Sequence, residues 1–240
     1  MRFKASVLLL VLLLTCGPKP KVEVQVELTP AQVWDGYLAK YQDINSLALS
    51  GTLNIFSARA YDCKLQLIYV NPDSFAFLAE GSFGVDIVRG ILFADSGYFE
   101  IPKERYQQKL SAGDCILLDD DVEIDINSLL QAVFFFRDGC DFRYIDRSGS
   151  RYIYLCNVDD NKKVIEINGD SFTPIRQILY NLSDTLTVDY YEWNALSDNV
   201  ILPGRIKIIS KVSDLDIDYL IKKVKINPEV KMTSFGPGLQ

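Results

Sequence analysis

Leu47-Ala48-Leu49-Ser50-Gly51-Thr52-Leu53-Asn54-Ile55, followed by Cys63-Lys64-Leu65-Gln66-Leu67-Ile68-Tyr69, decides the fold of this chain. Leu47, Leu49, Gly51, Leu53 and Ile55 share one face of an extended segment, and Cys63, Leu65, Leu67 and Tyr69 do the same after a turn. A period of two marks a strand with one buried face. Further strand-like runs follow at 75–80, 84–94, 97–101 and 105–110, divided by Asn71-Pro72-Asp73, Gly81 and Ser96-Gly97. They resume at 140–146, 150–158, 162–168, 174–182, 186–193, 200–211 and 216–227. Turns there include Arg147-Ser148-Gly149-Ser150, Asp159-Asp160-Asn161-Lys162 and Asn168-Gly169-Asp170. Short runs with turn signals between them predict antiparallel pairing in sequence order.

Two segments break the pattern. Thr29-Pro30 offers a capping hydroxyl and a proline at the first helical position, which predicts a helix with Trp34, Leu38 and Tyr41 on one stripe and Tyr37 beside them. Between Asp125 and Phe136, Asp125 or Asn127 can cap a second helix, placing Leu129, Leu130, Val133, Phe134 and Phe136 on one side. The run Phe134-Phe135-Phe136 would also suit a buried strand, but the capping residues favour helix. An order of helix, strands, one central helix and more strands argues against βαβ units. It predicts a mainly β chain, a single curved antiparallel sheet of about eleven strands with helices against its concave side.

The N-terminus reads as an export signal. Arg2 and Lys4 precede the apolar run Val7–Leu14, and Thr15-Cys16-Gly17 closes it. The run is shorter than the roughly 20 residues a membrane-spanning helix needs. Leu13-Leu14-Thr15-Cys16 resembles the lipobox of bacterial lipoproteins, where the cysteine thiol receives a diacylglycerol; Thr15 departs from the usual small residue. The alternative is an ordinary signal peptide with Cys16 near the cut. The expected division is residues 1–15 as signal peptide, 16–28 as lipidated Cys16 and tether, and 29–240 as the folded domain. Gly17-Pro18-Lys19-Pro20-Lys21 suits a tether. Val22, Val24, Val26 and Leu28 alternate, as a first strand or as more tether.

Charge and residue usage narrow the function. The formal charge is -7, or -9 once Arg2 and Lys4 are removed, and no basic cluster is present, so nucleic acid is not an expected partner. The chain has no histidine, which excludes Ser-His-Asp and Cys-His catalysis and the commonest metal ligand. Asp119-Asp120-Asp121, with Glu123 and Asp125, lacks the spacing of a calcium loop and reads as a solvated loop before the helix. No metal and no cofactor is expected. Cys140 and Cys156 are equidistant from Ser148, so pairing of 140–146 with 150–156 would set the two thiols face to face. An exported chain can oxidise such a pair, and two buried thiols is the alternative.

Several stretches carry a family resemblance. Glu80-Gly81-Ser82-Phe83-Gly84-Val85-Asp86-Ile87, continuing to Glu104-Arg105-Tyr106, resembles the Asn-Pro-Leu-Gly region of the outer-membrane lipoprotein receptor LolB. Ile126-Asn127-Ser128-Leu129-Leu130-Gln131-Ala132-Val133 is similar to the family's Asn-Ser-Leu-Arg-Gln helix. Ile201-Leu202-Pro203-Gly204-Arg205-Ile206-Lys207-Ile208 resembles the closing strand of LolA and LolB. The order of elements matches the LolA/LolB lipoprotein-localisation superfamily, and related uncharacterised LolB-like lipoproteins, over roughly residues 29–235.

This resemblance implies a half-open antiparallel barrel whose helices form a lid over an apolar cavity for acyl chains. Phe75, Phe77, Phe93, Leu130, Val133, Phe134 and Phe136, with Phe135 beside them, are the expected cavity wall; plain core packing is the alternative. Phe83 stands where LolB carries an exposed Leu, and is expected to enter the membrane unless it folds back onto the core. Arg89 interrupts the apolar alternation of Val85, Ile87, Ile91 and Phe93. It is expected either at a surface edge or in contact with a lid group or a lipid head group, since a buried lone charge is costly.

The expected role is a monomeric, non-enzymatic carrier or receptor, held by Cys16 on the periplasmic face of the outer membrane. It would bind the acyl chains of lipids or lipoproteins, with a soluble LolA-like protein as donor. The alternative role is an envelope binding or sensing module of the same fold, acting through a protein partner without moving cargo.

Overall fold

The structure, a computed structural model, describes residues 27–57, 60–70, 74–93, 96–111, 115–119, 122–137, 141–158, 161–180, 185–197, 200–212 and 214–230. The signal segment, Cys16, the tether up to residue 26, and Cys140 lie outside these.

The deciding stretch is strand β1 (Ser46–Phe56), and Leu47, Leu49, Leu53 and Ile55 are buried as their alternation requires. β2 (Ala60–Val70) pairs with it antiparallel, Leu49 opposite Leu67 and Leu53 opposite Cys63. β3 (Ser74–Glu80), β4 (Asp86–Phe93), β5 (Ser96–Ile101) and β6 (Tyr106–Ser111) each pair with the strand before. After a separate hairpin of β7 (Cys115–Asp119) and β8 (Val122–Asp125), a second meander begins. It comprises β9 (Arg143–Ser148), β10 (Arg151–Val158), β11 (Asn161–Asn168), β12 (Thr173–Tyr180), β13 (Thr185–Ala195), β14 (Ile201–Ser210) and β15 (Asp216–Ile226). β15 then pairs with β1 and joins the two meanders into one thirteen-stranded antiparallel sheet, with β6 and β9 at its edges.

The sheet is larger than the expected eleven strands because every period-two run became a strand of its own between short turns. The acidic cluster also differs from expectation. Asp119 ends β7, and Glu123 and Asp125 lie in β8, so these three belong to a hairpin instead of a plain loop, and Asp125 comes immediately before the second helix. Charged residues are a weaker strand signal than β-branched or aromatic ones.

A bulge marks the join of the meanders. Ser50 opposes Lys223 but Gly51 opposes Ile221, so the register shifts by one residue at Gly51. A Cβ there would stand 2.0 Å from the Leu220 carbonyl oxygen, so the close approach needs glycine.

Helix α1 (Pro30–Tyr41) starts with a reciprocal cap. The Gln32 amide donates to Thr29 Oγ1 (3.3 Å), and the Thr29 amide donates to Gln32 Oε1 (2.9 Å). Its buried stripe is Val33, Tyr37 and Tyr41, spaced by four, with Trp34 half-buried. Leu38, expected on that stripe, faces solvent at 43% exposure, because the helix rotates to seat Val33 instead. Helix α2 (Ile126–Val133) runs through Phe134 into a 3-10 turn, Phe135–Arg137.

Both helices cover one face of the sheet, the concave one. In register, Tyr154, Ile165, Gln177, Val188, Ile208, Ile217 and Ile55 form one row across that face, from β10 to β1. All seven are buried. The opposite face is laced by cross-strand ion pairs, among them Arg176–Asp189 (2.6 Å), Arg205–Asp218 (2.7 Å) and Lys207–Asp216 (2.8 Å). This division into an apolar inner and a charged outer face is what period-two alternation produces.

Candidate functional site

The concave face and its lid bring together most of the expected wall. Phe75 and Phe77 project from β3 toward the helices, and Leu130, Val133 and Phe134 are buried against them. Phe134 lies 5.4 Å from the Phe75 ring and 5.6 Å from Tyr69. Phe136 stacks on Tyr41 at 5.6 Å with an interplanar angle of 19°. Tilted and edge-on arrangements dominate the rest, as ring quadrupoles favour. Phe77 fits because its neighbour Gly90 on β4 has no side chain; a Cβ there would meet the Phe77 ring at 2.5 Å.

Tyr190 escaped the sequence reading. Phe135, 1% exposed, packs on it (4.9 Å) and on Tyr41 (5.2 Å) as the helix tightens into its 3-10 turn. Tyr41, expected on the stripe of α1, and Tyr190 also hold the lid by their hydroxyls.

Hydroxyl bonds fasten the lid to the sheet and to itself. Tyr190 Oη donates to the Ala132 carbonyl (2.8 Å) and Tyr41 Oη to the Ile201 carbonyl (3.2 Å). Tyr37 Oη donates to the Phe135 carbonyl (3.0 Å), joining α1 to the turn after α2. At the entry to α1, Tyr152 Oη donates to the Leu28 carbonyl (2.8 Å) and Tyr154 Oη to the Pro30 carbonyl (2.6 Å). Burial pushes the Tyr41, Tyr154 and Tyr219 phenols above their ordinary range, so they remain donors at any physiological pH.

Phe93 does not join the wall. Its register partner is Ser74, and it is 47% exposed on the outer face with Arg89 and Ile87. The apolar alternation of β4 was read as facing inward, but Val88, Gly90 and Leu92 oppose Ala79, Phe77 and Phe75 on the concave side. Arg89 is thereby accounted for. It faces outward, away from the lid, and its guanidinium Nε and Nη2 bond Glu100 Oε2 (3.0 and 2.9 Å) directly opposite on β5.

Phe83 sits at the tip of the turn between β3 and β4. Its side chain is 103% exposed, and its backbone is left-handed (φ 65°, ψ 17°), a conformation that non-glycine residues adopt at a cost. The Gly81 amide donates to the Val85 carbonyl (2.9 Å), closing the turn beneath it. Val85 and Ile87 are exposed beside it. Phe56, ending β1, and Val212, between β14 and β15, are exposed at the same end of the sheet, as the antiparallel order requires.

Cys156 is buried and disulfide-bonded, and Cys63 is a free thiol. The opposition expected of Cys140 and Cys156 falls outside the described residues, because Cys140 is not among them. Within the hairpin, Ile153 opposes Asp146 but Tyr154 opposes Tyr144, so one residue of β9 bulges. The outer face carries a groove of about 590 Å³ over β15, β1 and β2, where Ala48 and Ser50 leave a trench between Lys223, Lys225 and Lys64.

No family model and no curated protein matches the chain. Solved structures do. A LolA superfamily protein from Nitrosomonas europaea aligns over 88% of this chain and 99% of its own, with TM-score 0.62 and 13% identity. A DUF1329 family protein from Desulfovibrio piger covers 85% and 96%, with TM-score 0.65 and 11% identity. An outer membrane lipoprotein-sorting protein domain from Vibrio parahaemolyticus covers 85% and 94%, with TM-score 0.61 and 10% identity. The chain has a LolA/LolB-like fold, an open antiparallel half-barrel closed on its concave side by helices.

Proposed function

We propose that this protein is a lipid-anchored, non-enzymatic receptor that takes acyl chains of lipids or lipoproteins onto its concave face and helps place them in the outer membrane. The observation that carries the reading is the division of labour between its two faces. The inner face is a continuous apolar and aromatic wall, covered by short helices held largely through hydroxyl-to-carbonyl bonds. Each buried CH₂ of an acyl chain is worth about 0.8 kcal/mol, so a dry wall of this kind is what an acyl carrier must offer. Displacing α2 and its 3-10 turn would trade ring–ring contacts for ring–acyl contacts of similar apolarity.

Phe83 supports the delivery step. An exposed aromatic on a strained turn packs against none of the described residues, whereas at a bilayer interface its ring would be buried. Phe56 and Val212 at the same end would widen that contact. Cys16 would provide the anchor, and diacylation with a further chain is strong enough to hold the domain on the membrane. A soluble LolA-like donor is the matching partner. Cys140 is our choice of partner for Cys156, the pairing suggested by their equal distance from Ser148.

The experiment is mass spectrometry of organic extracts from the purified chain carrying Cys16→Ser. Co-purified acyl lipids support the reading; extracts free of lipid, with no lipoprotein mislocalised on depletion, refute it. A second reading, recognition of a protein partner without cargo, draws on the lysine-walled outer groove. It predicts that Lys223→Glu with Lys225→Glu abolishes function while acyl binding, if any, is unchanged.

A further inference from the structure

The concave wall holds one polar side chain where its row is otherwise apolar or aromatic. Gln177 on β12 is 0% exposed, flanked in register by Ile165 on β11 and Val188 on β13, both buried to within 1%. Arg176 before it turns to the outer face and pairs there with Asp189, which fixes Gln177 on the inner one. Neither Nε2 nor Oε1 of Gln177 has a hydrogen-bond partner among the described residues. A buried amide with both its donor and its acceptor unmet works against folding, and natural interiors rarely tolerate one without a reason. Leucine or methionine would fill the same place without that cost. In the next row Lys163, opposite Leu179, is also buried on this face, so the wall has a polar spot near β11 and β12 and not a lone accident.

We infer that Gln177 is the polar anchor of the acyl site, reading the head of the bound chain. Nε2 donates to a carbonyl oxygen at the end of the acyl chain, and Oε1 accepts from an N–H or O–H of the same head lying on the carbonyl's own side. The ligand class is therefore an acyl chain whose head carries an acceptor and a donor on one edge. A protonated fatty acid, its primary amide, and a monoacylglycerol folded with its hydroxyl beside its carbonyl have that chemistry; a secondary amide, whose N–H points away from its C=O, a simple ester and a bare hydrocarbon do not. The inference rests on the acyl-binding reading above and adds which acyl compounds are held, and at what depth.

The test is competition for a fluorescent fatty-acyl probe by the chain carrying Cys16→Ser. The competitors are hexadecanamide, 1-monopalmitoylglycerol, methyl palmitate and hexadecane. One hydrogen bond in a dry site is worth about tenfold in affinity, so the first two should outcompete the last two by that factor or more. Whichever of the first two binds tighter identifies the carboxyl-type or the glycerol head. Gln177→Leu should erase the preference, raise the melting temperature of the empty protein and leave hexadecane unaffected; Gln177→Met repeats the test with a side chain of matching length. A higher melting temperature with the preference intact would overturn the inference and leave acyl binding standing. Failure of every competitor and of the probe itself would remove acyl binding, and the anchor with it.

Discussion

At Phe83 the backbone and the side chain make opposite demands. A left-handed φ of 65° suits glycine or asparagine, and the side chain gains nothing from the protein in return, being fully exposed. Phe83→Asn should therefore leave the urea midpoint unchanged or raise stability by up to about 1 kcal/mol, while binding of the non-lipidated chain to anionic vesicles falls severalfold. A large loss of stability would mean that the ring packs somewhere, and would end its assignment to the membrane. Cys63 makes a second residue-scale prediction. Burial first, then the neighbouring Asp62, pushes its thiol from 9.0 up to about 11. Below 9 both folded and unfolded states keep the proton and the thiol's contribution is complete; between 9 and about 11 only the folded state does, so that contribution is lost as the pH climbs. Alkylation by iodoacetamide should be slow at pH 8 and accelerate toward pH 11, and fast reaction at pH 8 would show that the β2 end opens freely.

Among the elements, α1 and the α2 segment are the ones expected to move. Thr29→Ala removes the α1 cap and should cost about 1 kcal/mol in urea unfolding. Tyr190→Phe removes the bond from β13 to the Ala132 carbonyl without emptying any space, and should cost a similar amount. If α2 is a lid, that loss should show as faster hydrogen exchange confined to residues around 130–136 and faster probe uptake; exchange raised uniformly across the sheet would point to a static core instead.

These elements also show what the sequence could and could not disclose. Alternation from Leu47 to Tyr69 was enough to place β1 and β2 in their observed pairing, because one face is buried and a one-residue slip would expose it. β4 misled, because apolar residues occur on both its faces, and only its pairing with β3 shows that Phe93 and Arg89 look outward. Helix α1 was legible from Thr29-Pro30, but its rotation was not, since Leu38 and Val33 are equally apolar and the sheet chose between them. Gln177 gave no local sign at all. Arg176 and Gln177 are both polar in the run Thr173–Tyr180, and a bulge between Glu166 and Ile167 decides which one faces in.

For the whole molecule, the buried phenols couple protonation to folding. Tyr41, Tyr154 and Tyr219 ionise above the ordinary phenol value of 10.0 when folded, chiefly because burial disfavours the phenolate. Unfolding frees them to ionise near 10.0, so their contribution is complete below that pH and is lost as the pH rises beyond it. The urea midpoint should hold steady from pH 7 to 9 and fall steeply above 10. A flat profile through pH 11 would mean that these rings are solvated in the native state.

The two unjoined edges bear on capacity. The bore of a closed barrel is set by strand number and shear. Here β6 and β9 are not bonded to each other, and the chain between them passes through the β7–β8 hairpin and the lid. The circumference is free, so small changes of twist spread over every strand pair can widen or narrow the trough without breaking a ladder bond. If the concave face takes acyl chains as proposed, such a sheet would act as a leaf spring, gripping a single slender chain or a bundle of several with nearly the same set of contacts and trading curvature for girth.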